Sequence, residues 1–130
     1  MCNISRQEAV SMLPPLVMDI RAHHAVLDLC AAPGSKSAQI VELMHADSAA
    51  QPDQTCNGVL INQLEPPGIL IANDLDAKRC YMMVHQLKRL QSPCALTTQH
   101  DATIFPKLYL TPEPSRERLS DCHDKVKQYL

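Results

Sequence analysis

Aromatic side chains are nearly absent. They make up 3% of 130 residues, with one Phe, three Tyr and no Trp. A core must therefore be aliphatic, assembled from Leu, Ile, Val, Ala and Met. A basic excess is absent too: net charge is −2 and the pI about 6.3. A domain that grips a phosphate backbone on its own carries a basic face, so weak or no autonomous nucleic-acid binding is expected. No run approaches the ~18 apolar residues of a membrane span, and no CxxC pair occurs. The six cysteines, Cys2, Cys30, Cys56, Cys80, Cys94 and Cys122, are scattered. Most sit in apolar runs, where a thiol behaves as a small hydrophobe. His23, His24 and His100 lack ligand spacing to them, so no metal site is expected. What is present, 45% hydrophobic and 20% charged residues, fits one small reduced, intracellular, soluble domain.

Residues 5–8, SRQE, match a capping box. They predict a lead-in helix that meets Pro14-Pro15 and stops or kinks there. This lead-in occupies 1–24. AVLDLC (25–30) reads as a strand buried on both faces and ending at Cys30. A helix follows from Ser35 to His45, with Ile40, Leu43 and Met44 inward. Residues 46–68, polar with Pro and Gly, read as an inserted loop, with GVLIN as a candidate short strand. ILIAND (69–74) is a second buried strand. Asp76 to Leu90 is a second helix with Cys80, Met83, Val84, Leu87 and Leu90 inward and Lys78, Arg79, Lys88 and Arg89 outward. Met82-Met83 reads as core filler and His85 as a partly buried packing residue. CALTTQ (94–99) is a third strand. Right-handed crossovers then give a parallel sheet in order 3-2-1, an α/β, Rossmann-like half-fold spanning 25–106 behind the N-terminal helix. The charged stretch 107–130 shows no buried strand. It leaves a weak amphipathic helix or disorder as its readings.

The turn after the first strand, Cys30, Ala31, Ala32, Pro33, Gly34, Ser35 and Lys36, lies where doubly wound sheets bind ligands. It fails the Walker A pattern, because one residue separates Gly34 from Lys36 and the preceding glycine is missing. It fails G-x-G-x-x-G because Gly34 is its only glycine. What remains is a low wall (Ala31, Ala32), a fixed turn (Pro33), a backbone open to approach at Gly34, helix-start N–H groups that favour a carboxylate, and the charge of Lys36. Asp74 ends the second strand, where a carboxylate can accept from a ribose diol. Its distance from Gly34 exceeds the usual spacing of about 20 residues, and the 46–68 insertion accounts for the excess. Asp101, after the third strand, can accept from an amine. These three subsites describe S-adenosylmethionine.

The octapeptide CAAPGSKS (30–37) resembles the C-A-A-P-G-[GS]-K-[ST] motif of the RsmB/Nop/Sun RNA cytosine-5 methyltransferases. NISRQEAVSMLPPL (3–16) is similar to the helix leading into their catalytic core. IANDLDAKRCYMMVHQLKRLQSPC (71–94) and HDAT (100–103) resemble further motifs of the eukaryotic tRNA branch. The resemblance covers about residues 3–106. It implies a class I methyltransferase fold with S-adenosyl-L-methionine as cofactor. It also implies contacts from Cys30 through Lys36, Asp74 and Asp101, an RNA (tRNA) partner for the parent enzyme, and a nuclear or nucleolar location. The family's chemistry, as the resemblance implies it, needs a cysteine in an Asp-x-Pro-Cys-Ser-Gly loop to add to C6 of cytosine and another in a Thr-Cys-Ser loop. Neither loop is in this sequence. Pro93-Cys94 precedes the third strand and does not substitute. Cys30 is excluded as the end of a buried strand. The expectation is the cofactor-binding portion of a methyltransferase without catalytic residues, inactive alone. The alternative is a catalytically silent fragment that binds cofactor or a partner. A P-loop-like hydrolase is disfavoured by the Gly-Ser-Lys order.

Overall fold

The structure is a computed structural model. It describes residues 6–50, 55–56, 59–60, 65–108 and 126–129, with side chains described in 6–50 and 65–108. In chain order the elements are α1 (Ala9–Val17), β1 (Ala25–Asp28), α2 (Ser35–Ala50), β2 (Thr55–Cys56), β3 (Val59–Leu60), β4 (Ile69–Asp74), α3 (Ala77–Lys88), β5 (Ala95–Gln99) and β6 (Val126–Tyr129). β1, β4, β5 and β6 form one parallel sheet in the order β5-β4-β1-β6. The first three strands therefore lie in the 3-2-1 order that the sequence predicts. The short β2 and β3 pair antiparallel within the 46–68 region, with β3 falling inside GVLIN.

Aliphatic residues make the core, as the shortage of aromatics requires. Val26, Leu70 and Ala72 pack with Ala38, Ile40, Val41 and Met44 of α2 and with Met83 and Leu87 of α3. On the other sheet face Leu27, Leu29 and Ile71 meet Ala102 and Phe105, the chain's single Phe. Within α3 the inward set is smaller than predicted. Met83 and Leu87 are buried and Cys80 and Leu90 half-buried, while Val84, Met82 and His85 are exposed. The His85 ring packs edge-on against Tyr81 on that outer face.

Two further differences from the sequence reading have physical causes. α1 starts at Ala9 and runs through Pro14 and Pro15 to Val17. Pro15 has no N–H for the Ser11 carbonyl, its partner four residues back. Gln7 Nε2 donates to that oxygen instead, at 3.1 Å. The same amide nitrogen donates to Gln39 Oε1 (3.1 Å), and Gln39 Nε2 donates to the Met12 carbonyl (3.0 Å). Two glutamine side chains thus serve carbonyls along the proline-bearing turn and clamp α1 to α2. Glu8 is the N-cap and makes no side-chain cap bond; Ser5 of the SRQE box lies outside the described residues. The second difference is β6. The 107–130 stretch read as strandless, yet Val126–Tyr129 pairs in register with Ala25–Asp28. Without it, β1 would leave a row of unpaired backbone groups along its free edge.

Gln39 is buried and joins α1 to α2 through two side-chain bonds, both lost with its amide. Gln39→Leu is expected to cost about 1–3 kcal/mol, read as a lower urea midpoint at unchanged m-value.

Candidate cofactor site

All four parallel strands end on one edge. The turn from Leu29 to Gly34 sits there, between β1 and α2, beside the point where the strand order reverses. β1 stops at Asp28, two residues earlier than predicted, so Cys30 does not end a buried strand. It is an exposed turn residue. Ala31, Ala32 and Gly34 are buried, Ser35 half-buried, Pro33 and Lys36 exposed.

The shape of the turn comes from hydrogen bonds to its neighbours. Ala31 N–H donates to the Asn73 carbonyl (2.8 Å) and Gly34 N–H to the Ala31 carbonyl (2.7 Å). Ala32 N–H donates to Asp74 Oδ2 (3.2 Å), and Arg79 Nη2 donates to the Ala32 carbonyl (2.7 Å). The turn's own amides are thus engaged inside the protein. Donors for an anion come from the first turn of α2, whose N–H groups have no partners within the helix. Gly34 also has a different task from the one expected. Its φ is +96°, and a Cβ there would meet Met83 Cγ at 3.2 Å and Met83 Cα at 3.3 Å. Glycine at this position lets α3 close on the turn.

Asp74 is 3% exposed. Its Oδ1 accepts from Asp76 N–H (3.1 Å), and its Oδ2 lies 3.6 Å from Arg79 Nη2. It is not the cap of α3; Asp76 is, accepting from Arg79 N–H at 2.9 Å. Arg79, read from the sequence as a solvated charge, instead reaches back over the turn. Asp101 stands apart from these two. It caps the 3-10 turn Ala102–Ile104, and its Oδ1 accepts from Thr103 N–H (2.8 Å) and Thr103 Oγ1 (2.7 Å). Those bonds hold its carboxyl below the ordinary value, so it stays ionised. Both bonds use Oδ1 and neither uses Oδ2.

Sequence reasoning missed three residues at this edge. Asn73 is fully buried and bonds to both flanking loops. Arg79 was placed on the outer face. Asp28, at the end of β1, accepts from the fully buried Ser37 hydroxyl at 2.8 Å. Burial pushes its carboxyl above the ordinary value, against the pull of Ser37, the Cys30 N–H and the Lys36 charge. Asp28 and Asn73 were legible as polar residues in otherwise apolar runs, a cost that demands partners. Cys80 is no nucleophile candidate: burial and the Asp74 charge raise its thiol, which donates to the Asp74 carbonyl at 3.3 Å. Among the described residues, no three His, Cys, Asp or Glu side chains group to hold a metal, and no helix is long and apolar enough to cross a membrane.

Two outcomes follow from this geometry. Gly34→Ala combines left-handed strain with a contact to α3 backbone, so it should cost about 1–3 kcal/mol. Met83→Ala in the same chain should not restore the loss, because the Met83 Cα remains; urea unfolding of single and double variants checks this. Asp28 has a raised folded-state pKa. Its contribution to stability is fully present below its unfolded value of 3.8 and is lost as pH rises through the folded value. Asp28→Asn should therefore make the change in urea midpoint from about pH 3 to about pH 7 more positive than in the parent chain.

No family model matches the chain. Curated proteins do. It is 53% identical over 124 residues to tRNA (cytosine(34)-C(5))-methyltransferase of Drosophila melanogaster, covering 95% of this chain and 15% of that protein. It is 50% identical over 108 residues to the multisite-specific tRNA:(cytosine-C(5))-methyltransferase of Saccharomyces cerevisiae, covering 83% and 14%. The chain thus spans less than a fifth of the length of these relatives. Among solved structures, PH0851 matches with a TM-score of 0.57 at 26% identity over 75% of this chain and 18% of that one. NSun6 from Pyrococcus horikoshii with SFG matches with a TM-score of 0.53 at 24% identity, covering 73% and 20%. With the sheet order, the turn after β1 and identities of this size in agreement, the chain belongs to the RsmB/Nop/Sun family of RNA cytosine-5 methyltransferases.

Proposed function

We propose that this chain forms the S-adenosylmethionine-binding portion of an RNA cytosine-5 methyltransferase acting on tRNA. The observation that carries the reading is the turn 29–34, held at the sheet's carboxyl edge with the buried carboxylate of Asp74 against it. The residues fit the ligand. The start of α2, with Ser35 and Lys36, offers N–H groups and a positive charge to the cofactor's carboxylate. Asp74 is the acceptor for the ribose hydroxyls. Arg79 shares that carboxylate and is half-exposed, so it can yield its place. Asp101 accepts from the adenine amine through Oδ2. Cys30, Ala31, Ala32, Pro33 and Gly34 line the approach. The relatives' names support tRNA as substrate, and the P. horikoshii neighbour was solved with SFG, an S-adenosylmethionine analogue.

When bound, S-adenosylmethionine supplies the methyl group. Its transfer to C5 of cytosine needs a nucleophile at C6 to make that carbon reactive. The sequence contains neither an Asp-x-Pro-Cys-Ser-Gly nor a Thr-Cys-Ser loop. Our reading is therefore cofactor binding without methyl transfer by this chain alone, with weak RNA affinity at a net charge of −2. The family resemblance extends the proposal to a nuclear or nucleolar location.

S-adenosylhomocysteine should raise the melting temperature of the folded chain. At a concentration about 100 times Kd the stabilisation is about 2.7 kcal/mol. Labelled methyl groups should not pass to tRNA. A folded chain with no shift contradicts the cofactor reading. Methylated cytosine in the tRNA contradicts the inactivity.

A further inference from the structure

The least expected side chain in the sheet is Asn73. The rest of β4, Ile69 to Ala72, is apolar, and Asn73 is 0% exposed. A buried amide at such a place is costly unless bonded. Its Nδ2 donates to the Leu29 carbonyl (3.1 Å) and to the His100 carbonyl (2.8 Å). Its Oδ1 accepts from Thr98 Oγ1 at 3.0 Å, and its backbone carbonyl accepts from Ala31 N–H at 2.8 Å. Both amide hydrogens are used, and their acceptors lie in the loops that follow the two neighbouring strands, β1 and β5. One holds the turn that leads into Cys30–Lys36. The other holds the residue immediately before Asp101. Asp74, the next residue along the chain, is bonded to that same turn through Ala32.

Strand pairing does not need this arrangement. The β1–β4 and β4–β5 ladders are complete without the side chain, and Leu70 and Ala72 supply the packing on the helix face. The two Nδ2 bonds of Asn73 fall beyond the ladders, on the two loops that carry the site, while Thr98, its partner in the β4–β5 ladder, orients the amide.

We propose that Asn73 is a positioning residue: it fixes the spacing between the subsite for the cofactor's amino-acid end, at the β1–α2 turn, and the subsites for its adenosine end, at Asp74 and Asp101. The inference rests on the cofactor reading above and assigns a determinant of that site's specificity. A ligand that spans both subsites gains from both only when they are already correctly spaced. S-adenosylhomocysteine spans them. 5′-Methylthioadenosine has the adenosine end and lacks the carboxylate. Asn73 therefore governs the affinity ratio of these two ligands, which a purely stabilising residue would not.

The test is calorimetric titration of the full chain with both ligands, well below the melting temperature, for the parent, Thr98→Val and Asn73→Leu. Thr98→Val removes only the hydroxyl that orients the amide, so it decides the matter if Asn73→Leu does not fold. Expected is a loss of about tenfold or more in S-adenosylhomocysteine affinity, a factor comparable to one net hydrogen bond. Methylthioadenosine, which meets Asp74 and Asp101 but not the turn, should lose clearly less, so that the ratio of the two affinities falls by about threefold or more. Equal weakening of both ligands, or unchanged affinities with a lower melting temperature, overturns the positioning role and leaves the cofactor reading intact. A parent chain that binds neither ligand overturns the cofactor reading, and this inference with it.

Discussion

The turn after β1 does not hold its own shape; the end of β4 holds it. Asn73 and Asp74 together bind Leu29, Ala31 and Ala32 through a side-chain amide, a backbone carbonyl and a carboxylate. Arg79 closes the far side by donating to the Ala32 carbonyl. Everything placed on the turn inherits its position from these contacts: the start of α2, the buried face of Gly34 and the exposed Cys30. α3 then seats against Gly34 because no Cβ intervenes. A change at the end of one strand is thereby felt at the start of two helices.

This arrangement suits a ligand with two different ends. The start of α2, with Asp28 bonded to Ser37, lies on one side of the turn, and the carboxylates of Asp74 and Asp101 lie at the ends of the next two strands. The acids are unequal in character. Asp28 is pushed toward its neutral form by burial, whereas Asp101 is held ionised by Thr103. Asp74 takes protein donors on both oxygens. Its partner Arg79 is half-exposed, so under the proposed reading the guanidinium gives way to the ribose diol when the cofactor binds.

Much of this was legible in the sequence, for physical reasons. Near-continuous apolar runs at 25–30 and 69–74 belong to strands buried on both faces, and they reported the sheet and its order. The small residues of 30–36 reported a tight turn after β1, where Gly34 takes a positive φ. What was hidden depended on contacts distant in sequence. The prolines of α1 read as a stop or a kink because the support of that helix comes from side chains outside it: Gln7, which takes up the Ser11 carbonyl, and Gln39, 27 positions after Met12. Arg79 read as solvated because its target, Ala32, lies 47 positions earlier. Cys30 read as strand because apolarity continues past the point where pairing ends. β6 gave no signal: Val126–Tyr129 is short and set in a charged stretch, and its partner is the free edge of β1. Asp101 was identified as an acceptor, but only the structure shows that one of its oxygens is already committed to Thr103.

The central claim is that one crevice at the sheet's carboxyl edge takes S-adenosylmethionine. Backbone amide spectra of the isotopically labelled chain, recorded during titration with S-adenosylhomocysteine, test it residue by residue. The account predicts saturable shifts concentrated in 29–37, 73–79 and 100–103, with the amino ends of β1, β4 and β5 unmoved. Saturable shifts centred on those amino ends, or on the outer face of α3 around Tyr81 and His85, would contradict it.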